Sequence, residues 1–148
     1  MAEVGFYHLT RAPLERALPR LLEKAREAGY RALVVAASEE RVAALDALLW
    51  TYDPASFLAH GTERDGERQP ILLSTRFENA NEASLLICTE GVAPPPALTG
   101  FTRALDLFDG NETGAVEAAR ERWRGYAQAG HAVTYWQQTE AGGWAKKA

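Results

Sequence analysis

The segment "ARERWRGYAQAG", residues 119–130, sets Arg120, Trp123 and Arg124 within about one turn of each other at helical spacing. Two guanidiniums on one side of a helix can grip a carboxylate through paired N–H donors. An aromatic surface beside them can seat an apolar side chain. Together they meet the physical requirement for capturing a peptide C-terminus. The same spacing also fits a solvated charged face with Trp123 turned into the core. Arg120 and Arg124 are an i, i+4 pair of like charges, which costs a few tenths of a kcal/mol in an isolated helix. Glu117 and Glu121 are placed to offset it through Glu117–Arg120, Glu117–Arg124 and Glu121–Arg124 pairs.

Other residues suggest different chemistry. "HGTERDG" offers His60 with Glu63 and Asp65, either an acid–base set or a solvated turn. "LDLFDGNE" places Asp106 and Asp109 at the end of an expected strand, where α/β enzymes often keep catalytic carboxylates. Asp109-Gly110-Asn111 is also ordinary turn chemistry able to cap the next helix. A small nucleotide-binding α/β enzyme using Asp106, Asp109 or His60 is therefore the competing functional reading. The segment after the first strand, "HLTRAPLER", weakens it. That segment lacks the glycines of GxGxxG and of GxxxxGK[ST] that let a backbone approach phosphate. No GxSxG elbow presents a serine. His8, His60 and His131 are far apart, with no His-x-x-x-His or Cys-x-x-Cys spacing, so no zinc site and no cofactor are indicated. The lone Cys88, in "SLLICT", reads as a small core residue and fits a reduced, cytosolic compartment.

These side chains must be positioned by regular elements. "EVGFYHL" (3–9) reads as a strand. "APLERALPRLLEKAREAGY" repeats Leu14, Ala17, Leu18, Leu21 and Leu22 at three- and four-residue steps, the mark of an amphipathic helix. Pro13 suits its first turn and Gly29 its stop, while Pro19 implies a late start or a kink. "RALVVAA" (31–37) reads as a strand buried on both faces. Ser38 then caps a helix with Val42, Leu45, Leu48 and Leu49 inside, which ends near Pro54. A polar loop spans 52–69. "PILLST", "SLLICTE" and "RALDLFD" are further strands, the last two joined by the proline-rich "GVAPPPALTG". A helix from about Glu112 to Ala129 presents Val116, Ala119, Trp123 and Tyr126 as one stripe, with Arg120 on its border and Arg124 beyond. "HAVTYWQQ" alternates as a last strand, and residues 138–148 read as an extended tail without period. This order argues for one α/β domain over 1–148, three-layered and Rossmann-like, around a mostly parallel sheet.

Composition sets outer bounds. The chain has 148 residues, 47% hydrophobic and 24% charged, enough to bury a core. Its formal net charge is −4, so the whole surface does not attract a phosphate backbone, and any DNA contact is expected to be local or indirect. "MAEVGFYHL" lacks the basic flank and apolar stretch of a signal peptide. No run approaches the ~18 apolar residues of a membrane span, so no membrane partner is expected.

Four segments, "FYHL", "SEERVAALDALLWTYDPASFLAHG", "LDLFD" and "ARERWRGYAQAGHAVTYWQ", together resemble the chi subunit of bacterial DNA polymerase III holoenzyme, in order over residues 4–147. That resemblance implies a Rossmann-like fold that serves no nucleotide reaction, and a cytoplasmic adaptor without catalysis of its own. It implies one-to-one pairing with a psi subunit, which connects to the clamp loader. It also implies binding of the acidic C-terminal tail of single-stranded-DNA-binding protein, which ends in an aliphatic–aromatic pair. Some members associate with a helicase-like repair protein through the psi-facing surface. By position, the resemblance puts the tail pocket on Arg120, Trp123 and Arg124, with Phe108 as an apolar wall, and the psi-facing patch on Phe57 with Trp50 nearby. Where some members have tyrosine and lysine in the last helix, this chain has Trp123 and Arg124, which keep a flat aromatic face and a fixed positive charge.

Overall fold

Hydrophobic runs too short for helices and apolar throughout must be buried on both faces, and the chain satisfies them with one central sheet. A computed structural model describes residues 2–10, 13–51, 60–62, 69–77, 81–93, 98, 100–140 and 143–147. Eight strands are β1 (Glu3–Leu9), β2 (Ala32–Val35), β3 (Gly61–Thr62), β4 (Ile71–Ser74), β5 (Leu85–Thr89), β6 (Arg103–Asp109), β7 (Ala132–Gln138) and β8 (Trp144–Lys146). Three helices are α1 (Leu14–Glu27), α2 (Glu39–Thr51) and α3 (Thr113–Gln128). The strands lie in the order β3-β4-β2-β5-β6-β1-β7-β8, every neighbouring pair parallel except β7–β8. The expected three-layer α/β architecture with a mostly parallel sheet is what forms.

The two faces bury different sets. Leu18 and Leu22 of α1 and Leu45 and Leu49 of α2 pack with Val34, Ile71, Ile87 and Leu107 on one side. On the other, Ala119 and Tyr126 of α3 pack with Val4, Phe6, Ala104 and Phe108, and Leu98 and Phe101 extend that layer over Leu33 and Leu86. The helix ends follow local chemistry. Ser38 Oγ accepts the Arg41 N–H at 3.2 Å at the start of α2. Gly29 and Gly130 take φ of +86° and +90° and close α1 and α3. In each case the N–H after the glycine reaches back to a carbonyl five residues earlier, Tyr30 to Ala25 and His131 to Tyr126.

Four expectations change. Pro19 neither delays nor ends α1, which starts at Leu14 and runs through it. The proline lacks only the donor that would reach the Glu15 carbonyl, while its ring adds to the buried face. α3 is capped by Glu112, whose side chain accepts the Ala115 N–H, rather than by Asp109-Gly110-Asn111. The polar loop contains the short edge strand β3. The tail is not simply extended: Trp144–Lys146 pairs with β7, Trp136 opposite Lys146 and Gln138 opposite Trp144. Tyr7 explains that return, since its ring stacks on Trp136 at 6.2 Å and meets Trp144 edge-on at 4.9 Å. The proline run at 94–96 lies outside the described residues.

Candidate functional site

β1 runs between β6 and β7, so Phe6 stands opposite Asp106 on one side and Tyr135 on the other, and His8 opposite Phe108. The strand pleat turns these five side chains to the face that receives α3. α3 lays Val116, Ala119 and Trp123 against them as its stripe requires. The Trp123 ring lies 5.5 Å from Phe6 and 6.3 Å from Tyr135, and Phe108 lies 6.2 Å from Tyr135. Between these rings a cleft of about 360 Å³ stays open, lined by Phe6, Phe108, Val116, Ala119, Trp123 and Tyr135, with Arg120 and Arg124 also on its wall. Trp123 is thus both packed against the core and exposed on the cleft wall.

The charges of the cleft are one-sided. Arg120 makes no ion pair among the described residues, and Glu117 engages neither arginine. Of the three expected offsets Glu121–Arg124 forms, with side-chain exposures of 72% and 65%, so it is a weak, exchangeable surface pair. Burial raises the Tyr135 hydroxyl above the usual phenol range, and nearby Arg120 opposes that rise. An apolar floor with two solvent-facing guanidiniums suits a ligand that is anionic at one end and apolar beside it.

Residues 1–134 match the family described as DNA polymerase III chi subunit, HolC. The chain belongs to the DNA polymerase III chi subunit family. It is 28% identical over 134 residues to DNA polymerase III subunit chi of Pseudomonas aeruginosa, which covers 88% of this chain and 93% of that one. It is also 28% identical over 89 residues to a protein named probable DNA polymerase III subunit chi of Rickettsia prowazekii, 59% of this chain and 54% of that one. The chain therefore spans about half the length of the Rickettsia relative in that match. No helix among the described residues is long and apolar enough to cross a membrane.

The other candidates of this chi-family chain occupy different surroundings. Asp106 is not at the strand end but in mid-β6, 3% exposed, and held by Arg122: Nε to Oδ2 at 2.6 Å and Nη2 to Oδ1 at 3.0 Å. Burial pushes its carboxyl up, and the guanidinium works against that rise. Asp109 does end β6, where its Oδ1 accepts the Asn111 N–H at 2.9 Å. A second cavity of about 320 Å³ opens there, lined in part by Glu90, Asp109, Glu112 and Arg122. Three carboxylates, one already filling the α3 N-terminus, disfavour a phosphate at this crevice. His60 is buried against α2, where Nε2 donates to the Asp46 carbonyl and lies 3.2 Å from Asp46 Oδ1. Its expected partners Glu63 and Asp65 lie outside the described residues, as does Phe57. Trp50 is 57% exposed, its ring 4.6 Å from His60. Among the described residues no cluster of His, Cys, Asp or Glu is arranged to hold a metal.

Sequence reasoning missed Phe6, Tyr135 and Arg122. Phe6 was available in "FYHL", because its parity along β1 opposes Tyr7. Arg122 was available too, since it falls on the stripe border opposite Arg120, four residues before Tyr126.

Proposed function

We propose that this chi-family chain is a non-catalytic replisome adaptor whose cleft receives the acidic C-terminal tail of single-stranded-DNA-binding protein. The observation that carries this reading is that Arg120, Trp123, Arg124 and Phe108 line one open cleft. In the bound state the terminal carboxylate sits against the guanidiniums, and the terminal apolar side chain enters between Trp123, Phe6 and Phe108. Arginine rather than lysine at both positions allows a two-pronged grip on the carboxylate. DNA contact is then indirect, made by the partner rather than by this acidic surface.

Exposed Trp50, its ring tilted against that of His60, supports a second surface on the α2 side. There a psi subunit docks and links the chain to the clamp loader in the cytoplasm. A helicase-like repair protein would compete for that surface. A pull-down from cell lysate tests both. Wild-type chain captures single-stranded-DNA-binding protein and a psi subunit. The Arg120→Ala/Arg124→Ala variant loses the first and keeps the second. Retention of single-stranded-DNA-binding protein by that variant would sink the pocket assignment.

A further inference from the structure

Behind the cleft, His8 joins two of its walls. Its imidazole lies 5.2 Å from the Phe108 ring and 5.7 Å, edge to face, from the Tyr135 ring. His8 Nδ1 and Tyr135 Oη share a hydrogen bond. Tyr135 in turn packs its ring against Trp123 across the cleft. The imidazole has this seat because Gly110 has no side chain. A Cβ built on Gly110 would collide with His8 Cδ2 and Nε2. Gly110 is outside the left-handed region, so the backbone itself does not demand glycine there. What demands it is the ring of His8.

We propose that His8 is a positioning residue of the cleft: seated over the bare Cα of Gly110, it holds the Tyr135 hydroxyl and fixes the wall that faces Trp123. A half-buried tyrosine ring can turn about two torsions. Tethering its hydroxyl leaves one orientation, so the cleft is preformed and less ordering accompanies binding. Charged and titratable groups on the elements around His8 include Tyr135 on β7, Arg120, Arg122 and Arg124 on α3, and Asp106 and Asp109 on β6, where Asp106 is engaged by Arg122 and Asp109 by Asn111. The tether engages neither Arg120 nor Arg124, so it does not compete for the guanidiniums. The effect on peptide affinity rests on the tail-binding reading above, and the tether itself does not.

The test uses the full chain and a synthetic acidic peptide ending in an aliphatic–aromatic pair. His8→Leu and Tyr135→Phe should each weaken binding by about threefold to tenfold, the range of one hydrogen bond. The double variant should bind no worse than the weaker single one, because both remove the same bond. His8→Asn, whose amide falls near the place of Nδ1, should restore binding to within about twofold of wild type. Gly110→Ala should reproduce the His8→Leu loss without altering His8. Additive losses, or failure of the asparagine to rescue, would overturn the proposal. Without any peptide, the ¹⁵N signals of the His8 imidazole should show Nδ1 in a hydrogen bond that Tyr135→Phe abolishes. If that signature is absent, the tether is wrong whatever the peptide does. If it is present and wild type binds no acidic peptide, the tail-binding reading fails while the positioned wall stands.

Discussion

The ring of Trp123 lies 5.5 Å from the ring of Phe6, so the last helix and a central strand meet at the floor of the open cleft. If the cleft takes the proposed peptide, that one side chain couples stability to ligand contact. Trp123→Ala should lower unfolding free energy by roughly 3 kcal/mol and also abolish peptide binding, whereas Trp123→Tyr should preserve both. Thermal melts alongside peptide titrations separate the outcomes.

The Arg122–Asp106 pair is structural, and neither residue lines the cleft. Arg122→Met should cost about 3–5 kcal/mol, because a buried carboxylate is left without its partner. Removing both with Arg122→Met/Asp106→Leu should recover most of that loss. Urea denaturation of the three variants checks this, and peptide affinity of the folded double variant should stay within about twofold of wild type.

Guanidiniums open to solvent make binding sensitive to ionic strength. Affinity for the acidic peptide should fall as salt rises from about 0.05 to 0.5 M, over which the screening length shortens severalfold. The slope should be shallower in Arg120→Ala and in Arg124→Ala, as read by fluorescence anisotropy.

Trp50 is exposed, so its loss should hardly affect folding. Trp50→Ala should change stability by less than about 0.5 kcal/mol. It should weaken association with a psi subunit by about 1 kcal/mol or more, as an aromatic anchor does. Analytical ultracentrifugation of the mixture is the check.

Cys88 is 2% exposed, and burial pushes its thiol well above the ordinary range, with the Asp106 carboxylate adding to the rise. The thiolate is the reactive form, so a raised thiol stays unreactive as pH climbs from 7 to 9. Labelling by a disulfide reagent should follow global unfolding. Fast labelling of the native chain would contradict that burial.

The architecture was legible because β2, β4 and β5 are apolar runs, β7 alternates, and the first and last helices carry clear three- and four-residue periods. β8 was not, because nothing local in "GGWAKKA" favours a strand: it forms on Tyr7 and Trp136, which lie far away in sequence. Pro19 misled because its helix-breaking tendency is local, while the buried leucines around it are a tertiary reward. In the cleft, Arg120, Trp123 and Arg124 were readable from one helix. That Phe6, His8 and Tyr135 share one wall needed the strand order, since only the adjacency of β1 and β7 brings them together. Asp106 was misplaced because a carboxylate near a strand end resembles a catalytic one until the arginine that neutralises it is seen.

The most direct measurement is calorimetric titration of wild-type chain with the acidic peptide bearing a free C-terminal carboxylate, beside the same peptide amidated. Single-site binding at micromolar affinity is expected for the free carboxylate, about tenfold weaker for the amide, and lost in Arg120→Ala/Arg124→Ala. Equal binding of the two peptides, or undiminished binding by that double variant, would contradict a carboxylate pocket built on Arg120, Trp123 and Arg124.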